Sequence, residues 1–303
     1  MKIALPPPLR PGDRIGIVAP AGPVRHPDLE RGQEYLKSRG YALVRGRHLE
    51  ERRGYLAGSD EERLEDLNAI LADRTIRALW SARGGYGSAR IVEGIDFRSL
   101  RKWPKIVIGY SDLTVLHAAV QRRLGLSTFY GPNVSDLGHA ASFDESSLWQ
   151  ALAVDGGSLA HDLKTSTVLR PGSGEGPLVG GCLSLLVSLL GTPYEVATDG
   201  AILFWEEVGE EPYRVDRMLG HLRLAGRLAK LRGMVVGRLA GCQAKEPENE
   251  ATIEEILQRH LKGAGFPVVY DFPAGHGPGK VTLPLGRPAR LDTGEGRLTI
   301  SGR

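Results

Sequence analysis

Three places in this 303-residue sequence carry residues able to attack a carbonyl group or move a proton. The first is Gly109-Tyr110-Ser111-Asp112-Leu113-Thr114, where a run of β-branched residues stops and a helical pattern begins. Glycine two residues before a serine lets the chain turn sharply and lift the hydroxyl above a sheet edge. The G-x-S-x-G nucleophile elbow works on that principle, although Leu113 stands where that motif has its second glycine. The amide of Asp112, at the helix start, would point towards an oxyanion formed at Ser111. A serine in this setting is also an ordinary helix N-cap, and lone caps outnumber nucleophiles.

The second place is Arg83-Gly84-Gly85-Tyr86-Gly87, after a strand pattern. Its glycines would let a backbone N–H approach a ligand closely and act as a second oxyanion donor, but a tight turn explains them equally well. The spacing is not G-x-G-x-x-G, and no acidic residue closes a partner strand at the usual distance, so this is a poor dinucleotide fingerprint. The third is the pair Glu206 and His276. A serine hydroxyl needs a base, and the base needs an acceptor that fixes its tautomer. Of eight histidines, His276 alone lies in a glycine-flanked loop after a strand; His117, His221 and His260 fall within helical patterns. Glu206 ends a strand, but Glu207 is its rival by position, since successive strand residues face opposite sides.

Other chemistries find little support. There is no H-E-x-x-H, no C-x-x-C, no tight His/Asp cluster and no P-loop, so no metal site is expected. The net charge of +3, from 39 basic and 36 acidic residues, is too small to suggest nucleic acid, and no Lys/Arg block reinforces it. No apolar run approaches a membrane span, and the first twenty residues lack the pattern of a signal peptide. Two cysteines, Cys182 and Cys242, make no disulfide scaffold and read as reduced residues of a cytoplasmic protein.

The elements that must position these residues alternate from the start. Strand patterns at residues 14–20, 41–46, 75–82 and 105–110 are separated or followed by helical patterns at 27–40, 63–73 and 112–125. Ser59 to Glu62 forms a capping box ahead of the second of these helices. A βαβα succession of continuous apolar strands implies a parallel sheet covered by helices on both faces. Between about residues 155 and 177 the periodicity lapses into glycine and polar residues, read as a linker. Beyond it come a Leu-rich segment at 180–191 and strand patterns at 201–207, 233–241 and 267–273. Helical patterns at 212–226 and 251–263 fall between them. The expected organisation is therefore an N-terminal α/β domain over residues 1–155, a linker over 156–176 and a C-terminal α/β domain over 177–303.

Seven motifs, in this order, resemble the serine LD-carboxypeptidases, also called muramoyl or murein tetrapeptide carboxypeptidases, with the microcin-immunity hydrolases as a sister branch. They are PGDRIGIVAPAGP from Pro11, ARGGYG from Ala82, GYSDLT from Gly109, YGP from Tyr130, GGCLSLL from Gly180, ILFWEEVGEEPYRVDRML from Ile202 and GHGPGKVTLPLG from Gly275. The resemblance implies Ser111 as nucleophile, His276 as general base and Glu206 as its orienting carboxylate. It implies Gly85 and Asp112 amides as the oxyanion hole. For the substrate, Arg83, Gly84 and Tyr86 are the candidate contacts. The implied fold is a flavodoxin-like parallel-sheet domain joined to a smaller C-terminal α/β domain, a homodimer without cofactor. The implied activity is release of terminal D-alanine from murein tetrapeptides, in the cytoplasm, during peptidoglycan recycling. Two positions depart from the family's usual residues: Cys182, where asparagine is usual, and Trp205, where a smaller aliphatic is commoner. Hydrolysis of an acyl-nucleotide amide on the same triad is the alternative, with Trp205 as the hint of nucleobase stacking. A non-catalytic binding module is the alternative of another class, and it gives no reason for an ordered base and a hydroxyl.

Overall fold

The computed structural model describes residues 4–153, 157–244 and 251–302. Along the chain come β1 (Arg14–Val18), α1 (His26–Ser38), β2 (Ala42–Arg45), α2 (Asp60–Ala72) and β3 (Ile76–Ser81). These are followed by α3 (Ser88–Ile91), α4 (Phe97–Lys102), β4 (Ile106–Gly109), α5 (Thr114–Leu124), β5 (Thr128–Tyr130), α6 (Val134–Leu137) and α7 (Glu145–Ala153). Next are β6 (Leu159–Asp162), β7 (Thr167–Arg170), β8 (Ser173–Cys182), α8 (Leu183–Ser188), β9 (Ile202–Val208), α9 (Pro212–Leu224) and β10 (Gly233–Ala240). The chain closes with α10 (Ile253–His260), β11 (Val268–Tyr270), β12 (Leu283–Leu285), β13 (Pro288–Asp292) and β14 (Arg297–Ile300).

The described residues divide into two compact units. One takes the chain before residue 157 and adds Pro278–Gly286; the other holds Gly157–Gly277 and Arg287–Gly302. The first unit is built on a sheet of order β2-β1-β3-β4-β5, parallel throughout, with β12 antiparallel on the β5 edge. That is the flavodoxin-like order, and its direction reverses between β1 and β3, where open α/β sheets bind ligands. All four residues of β4 are buried, as a strand covered on both faces must be. The capping box forms: Glu62 N–H donates to Ser59 Oγ at 3.1 Å, and Ser59 N–H to Glu62 Oε2 at 2.6 Å. Helix α5 ends at Gly125, whose φ of +58° supplies the left-handed C-cap.

The second unit has an eight-stranded sheet of order β6-β14-β13-β8-β9-β10-β11-β7. Its centre, β8 to β11, is parallel, and its flanks are antiparallel. Trp205, Leu183, Leu186, Val215, Leu219 and Leu257 bury one another in its core.

Two boundaries differ from the expectation drawn from sequence. The segment read as a linker carries β6, β7 and the first part of β8, while the expected boundary at residues 155–156 lies outside the described residues. Two of its glycines allow close approach of backbones. A Cβ at Gly174 would sit 1.8 Å from the Arg232 carbonyl oxygen, and one at Gly176 would sit 2.1 Å from that of Gly200. The first five residues of β8 alternate between exposed and partly buried, which removes the apolar run that marks an inner strand. The second difference is at the far end, where residues 278–286 belong to the first unit because β12 pairs with β5.

Candidate active site

Strand β4 delivers Ser111 to the corner before α5. Gly109 ends the strand at φ +153°, where a Cβ would lie 2.4 Å from Leu113 and 2.8 Å from Asn133. Two residues later Ser111 itself stands at φ +65°, one of two described non-glycine residues in the left-handed region. Such a backbone costs on the order of 1–3 kcal/mol and persists only where surrounding contacts enforce it. Those contacts are visible. The Ser111 amide donates to the Tyr130 hydroxyl at 3.1 Å, and the Thr114 hydroxyl donates to the Ser111 carbonyl at 2.7 Å. A ring nitrogen of His117, Nε2, lies 2.9 Å from the Gly109 carbonyl oxygen. The capping role left open by the sequence is not taken up. Residues 111–113 form a 3₁₀ turn before α5, and no side chain caps either segment.

The glycine loop lies against this corner. The Gly22 amide donates to the Gly84 carbonyl at 3.1 Å, tying the loop after β3 to the loop after β1. A Cβ on Gly84 would come within 2.8 Å of Ser111 Cβ, and one on Gly85, at φ +116°, within 2.9 Å of Gly22 Cα. Glycine at 84 therefore lets the loop close on the serine, and glycine at 85 lets it close on the loop after β1. Arg83 is exposed and donates to the Pro23 carbonyl at 2.7 Å. Tyr86 is exposed as well, with its ring edge-on to Tyr55 at 5.7 Å. The Asp112 side chain turns inward, 1% exposed, and accepts from the Ser88 amide at 2.7 Å. Burial pushes its carboxyl above the usual carboxylate range.

In the second unit, Glu206 is wholly buried at the end of β9. Its Oε2 accepts from the His276 amide at 3.0 Å and pairs with His276 Nδ1 at 2.7 Å. A carboxylate partner makes Nδ1 the protonated nitrogen and leaves Nε2 with its lone pair, which is the tautomer of a general base. Gly275 permits the approach: at φ +93°, a Cβ there would lie 2.3 Å from Glu206 Cγ. Glu207 faces the other way. It accepts from the Ser184 amide at 2.7 Å and the Val208 amide at 2.9 Å, and the Cys182 thiol donates to it at 3.3 Å.

Residues 15–131 match the LD-carboxypeptidase N-terminal domain, and residues 175–291 match the C-terminal domain of the same family. The chain belongs to the LD-carboxypeptidase family. Among the relatives of this chain is a probable murein peptide carboxypeptidase from Bacillus subtilis, 39% identical, with 96% of this chain and 92% of the relative covered. The crystal structure of muramoyltetrapeptide carboxypeptidase from Oxalobacter formigenes superposes with a TM-score of 0.84 at 32% identity, covering 95% of this chain and 98% of that one. The microcin C7 self-immunity protein MccF superposes with a TM-score of 0.92 at 25% identity, over 99% of each chain.

The two departing residues flank Glu206: Cys182 is its register partner on β8, and Trp205 precedes it on β9. Trp205 is 0% exposed and packs in the core, so its indole presents no face for stacking, contrary to the hint drawn from sequence. Alternation along β9 explains this, since neighbouring residues of a strand face opposite sides. The Cys182 thiol is held well above its ordinary pKa, first by burial and then by the charge of Glu206 and Glu207, so it is no thiolate nucleophile. Tyr130 reaches the Ser111 amide only because β5 lies beside β4, a contact that no local sequence pattern marks. No helix among the described residues is long and apolar enough to cross a membrane.

Proposed function

We propose that this LD-carboxypeptidase is a serine peptidase that releases terminal D-alanine from murein tetrapeptides by cutting the bond between an L-centre and that D-residue. The observation that carries the mechanism is Ser111, held in the left-handed region on a strand-to-helix corner where its side chain caps nothing. A strained backbone kept at a strand end points to a functional demand on that hydroxyl. In this reading His276 Nε2 takes the Ser111 proton as Oγ attacks the scissile carbonyl. Glu206 holds Nδ1–H and stabilises the imidazolium. The amides of Gly85 and Asp112 receive the oxyanion, and Arg83, Gly84 and Tyr86 contact the substrate. Collapse of the tetrahedral species gives the amine of D-alanine the proton from His276, and water then hydrolyses the acyl-enzyme by the same route. The names of the Bacillus and Oxalobacter relatives support the murein substrate.

The likeness to MccF keeps hydrolysis of an acyl-nucleotide amide as the alternative, though buried Trp205 removes the feature that favoured it here. Cys182 and Cys242 are buried thiols and not a disulfide, in keeping with a reducing cytoplasm. A homodimer is proposed on the resemblance, and light scattering on the purified protein tests it. The substrate is tested with L-Ala-D-Glu-X-D-Ala, X being diaminopimelate or lysine, beside the same peptide ending in L-alanine and a D,D-terminated pentapeptide. Amino-acid analysis should find D-alanine from the first alone. Inverting the last centre moves the scissile carbonyl, and about 1 Å of misplacement costs about 10²-fold in rate. Equal cleavage of the L- and D-terminated peptides would refute the murein assignment and leave the serine mechanism standing.

A further inference from the structure

The buried side chains of Arg63 and Asp112 lie behind the glycine loop, and neither side chain takes part in the reaction just described. Arg63, on α2, has a side chain that is 0% exposed. Its Nη1 donates to the Gly87 carbonyl at 2.9 Å and to the Pro20 carbonyl, and its Nη2 pairs with Asp60. Asp60 is gripped in turn by Arg90 Nε at 2.9 and 3.0 Å. One residue past Gly87, the Ser88 amide donates to the buried carboxylate of Asp112 at 2.7 Å. Gly87 stands at φ +137°, and a Cβ there would lie 2.7 Å from Arg63 Nη1. The loop is therefore fixed by β3 at its start and by a guanidinium and a carboxylate at its end.

Burying ions is poor economy for stability alone, because apolar residues of the same volume usually hold a core as well or better. What ions and their directed hydrogen bonds add is a defined backbone position. Both groups act on one peptide unit, between Gly87 and Ser88, two residues past Gly85, whose amide would receive the oxyanion. Arg63 also holds Pro20, two residues from Gly22, against which Gly85 packs.

We propose that Arg63 and Asp112 are positioning residues whose buried side chains clamp Gly87 and Ser88 and so hold the Gly85 amide where an oxyanion develops at Ser111. The inference rests on the serine mechanism proposed above. An oxyanion donor bonds fully only in the transition state, so its displacement should lower kcat and leave KM alone.

The test is steady-state kinetics on the murein tetrapeptide for Arg63→Met, Arg63→Lys, Asp112→Ala and Asp112→Asn. Rates are normalised to the fraction of sites labelled to completion by a serine-directed phosphonate, and each variant's Tm is measured. Loss of one oxyanion donor costs about 10²–10³-fold in kcat, so a displaced donor should cost roughly 10–10²-fold, as in Arg63→Met and Asp112→Ala. KM should stay within about threefold. Asp112→Asn keeps an acceptor for the Ser88 amide and should recover most of kcat. Arg63→Lys, with one ammonium for two carbonyls, should fall between Arg63→Met and wild type. If Arg63→Met does not fold, the lysine variant carries the test with a fall of roughly 3–10-fold. A lower Tm with unchanged kcat per labelled site would reduce both residues to fold stabilisers and overturn the inference. A rise in KM at constant kcat would overturn it too. Ser111→Ala run alongside separates the two levels: an active Ser111→Ala enzyme refutes the serine mechanism, whereas an inactive one beside unaffected clamp variants refutes the clamp only.

Discussion

Gly275→Ala is the sharpest perturbation of the Glu206–His276 pair, because it alters neither residue. A methyl group at 275 would lie 2.3 Å from Glu206 Cγ and 2.5 Å from Oε2. Ordinary contacts are about 3.5–4.0 Å, so the carboxylate must retreat by more than about 1 Å. The Nδ1–Oε2 distance of 2.7 Å would then open past hydrogen-bond range. Misplacement of a catalytic group by about 1 Å costs roughly 10²-fold, and complete loss of the carboxylate's hold on the tautomer about 10⁴-fold. The expected fall in kcat for D-alanine release lies between these limits. A second effect must be separated out. Alanine at φ +93° carries backbone strain of about 1–2 kcal/mol, which should lower Tm by several degrees. Gly263→Ala is the control: its φ is +81°, and nothing lies within 4 Å of its added methyl. It should show a similar drop in Tm with wild-type activity. If Gly275→Ala kept activity within about threefold of wild type, the pairing would not be what activates His276.

Ser111→Ala should abolish turnover without changing Tm, whereas Ser111→Gly should abolish turnover and raise stability by about 1 kcal/mol, because glycine relieves the left-handed strain; calorimetry on the pair decides it. Glu206→Gln should lower kcat by roughly 10²–10⁴-fold and Glu207→Gln by no more than a few-fold, and the reverse order would reassign the orienting carboxylate. His117 is fully buried, and burial pulls its pKa down to about 4. The unfolded chain therefore binds the extra proton first as pH falls. The stability this contributes is present above about 6.5, is lost as pH drops towards about 4, and amounts to at most about 3 kcal/mol. Tm measured against pH should flatten over that window in His117→Gln, and an unchanged profile would exclude the histidine as its source.

Local composition was enough to place much of this molecule. Runs such as Ile106–Gly109 are apolar because both faces of the strand are covered, so the parallel sheet of the first unit could be read from hydropathy alone. The Ser59–Glu62 capping box needs only residues three apart. Ser111 after a glycine, and His276 between two glycines, stood out for the same reason: turn chemistry is written in adjacent residues. What packs against a residue is not. Glu206 and Glu207 are rivals by strand position, and in the fold Gly275 approaches the first while the Ser184 amide holds the second. Gly174 and Gly176 read as part of a linker until Arg232 and Gly200 are seen to fill the space their side chains would need. Trp205 reads as a surface for nucleobase stacking until the phase of β9 turns it into the core. Nothing in the sequence ties Arg63 to the glycine loop, because the carbonyls it holds there, of Pro20 and Gly87, lie 43 and 24 residues away. Strand phase, close backbone approach and the burial of a charge are decided by neighbours distant in the chain, and only the folded structure brings those together.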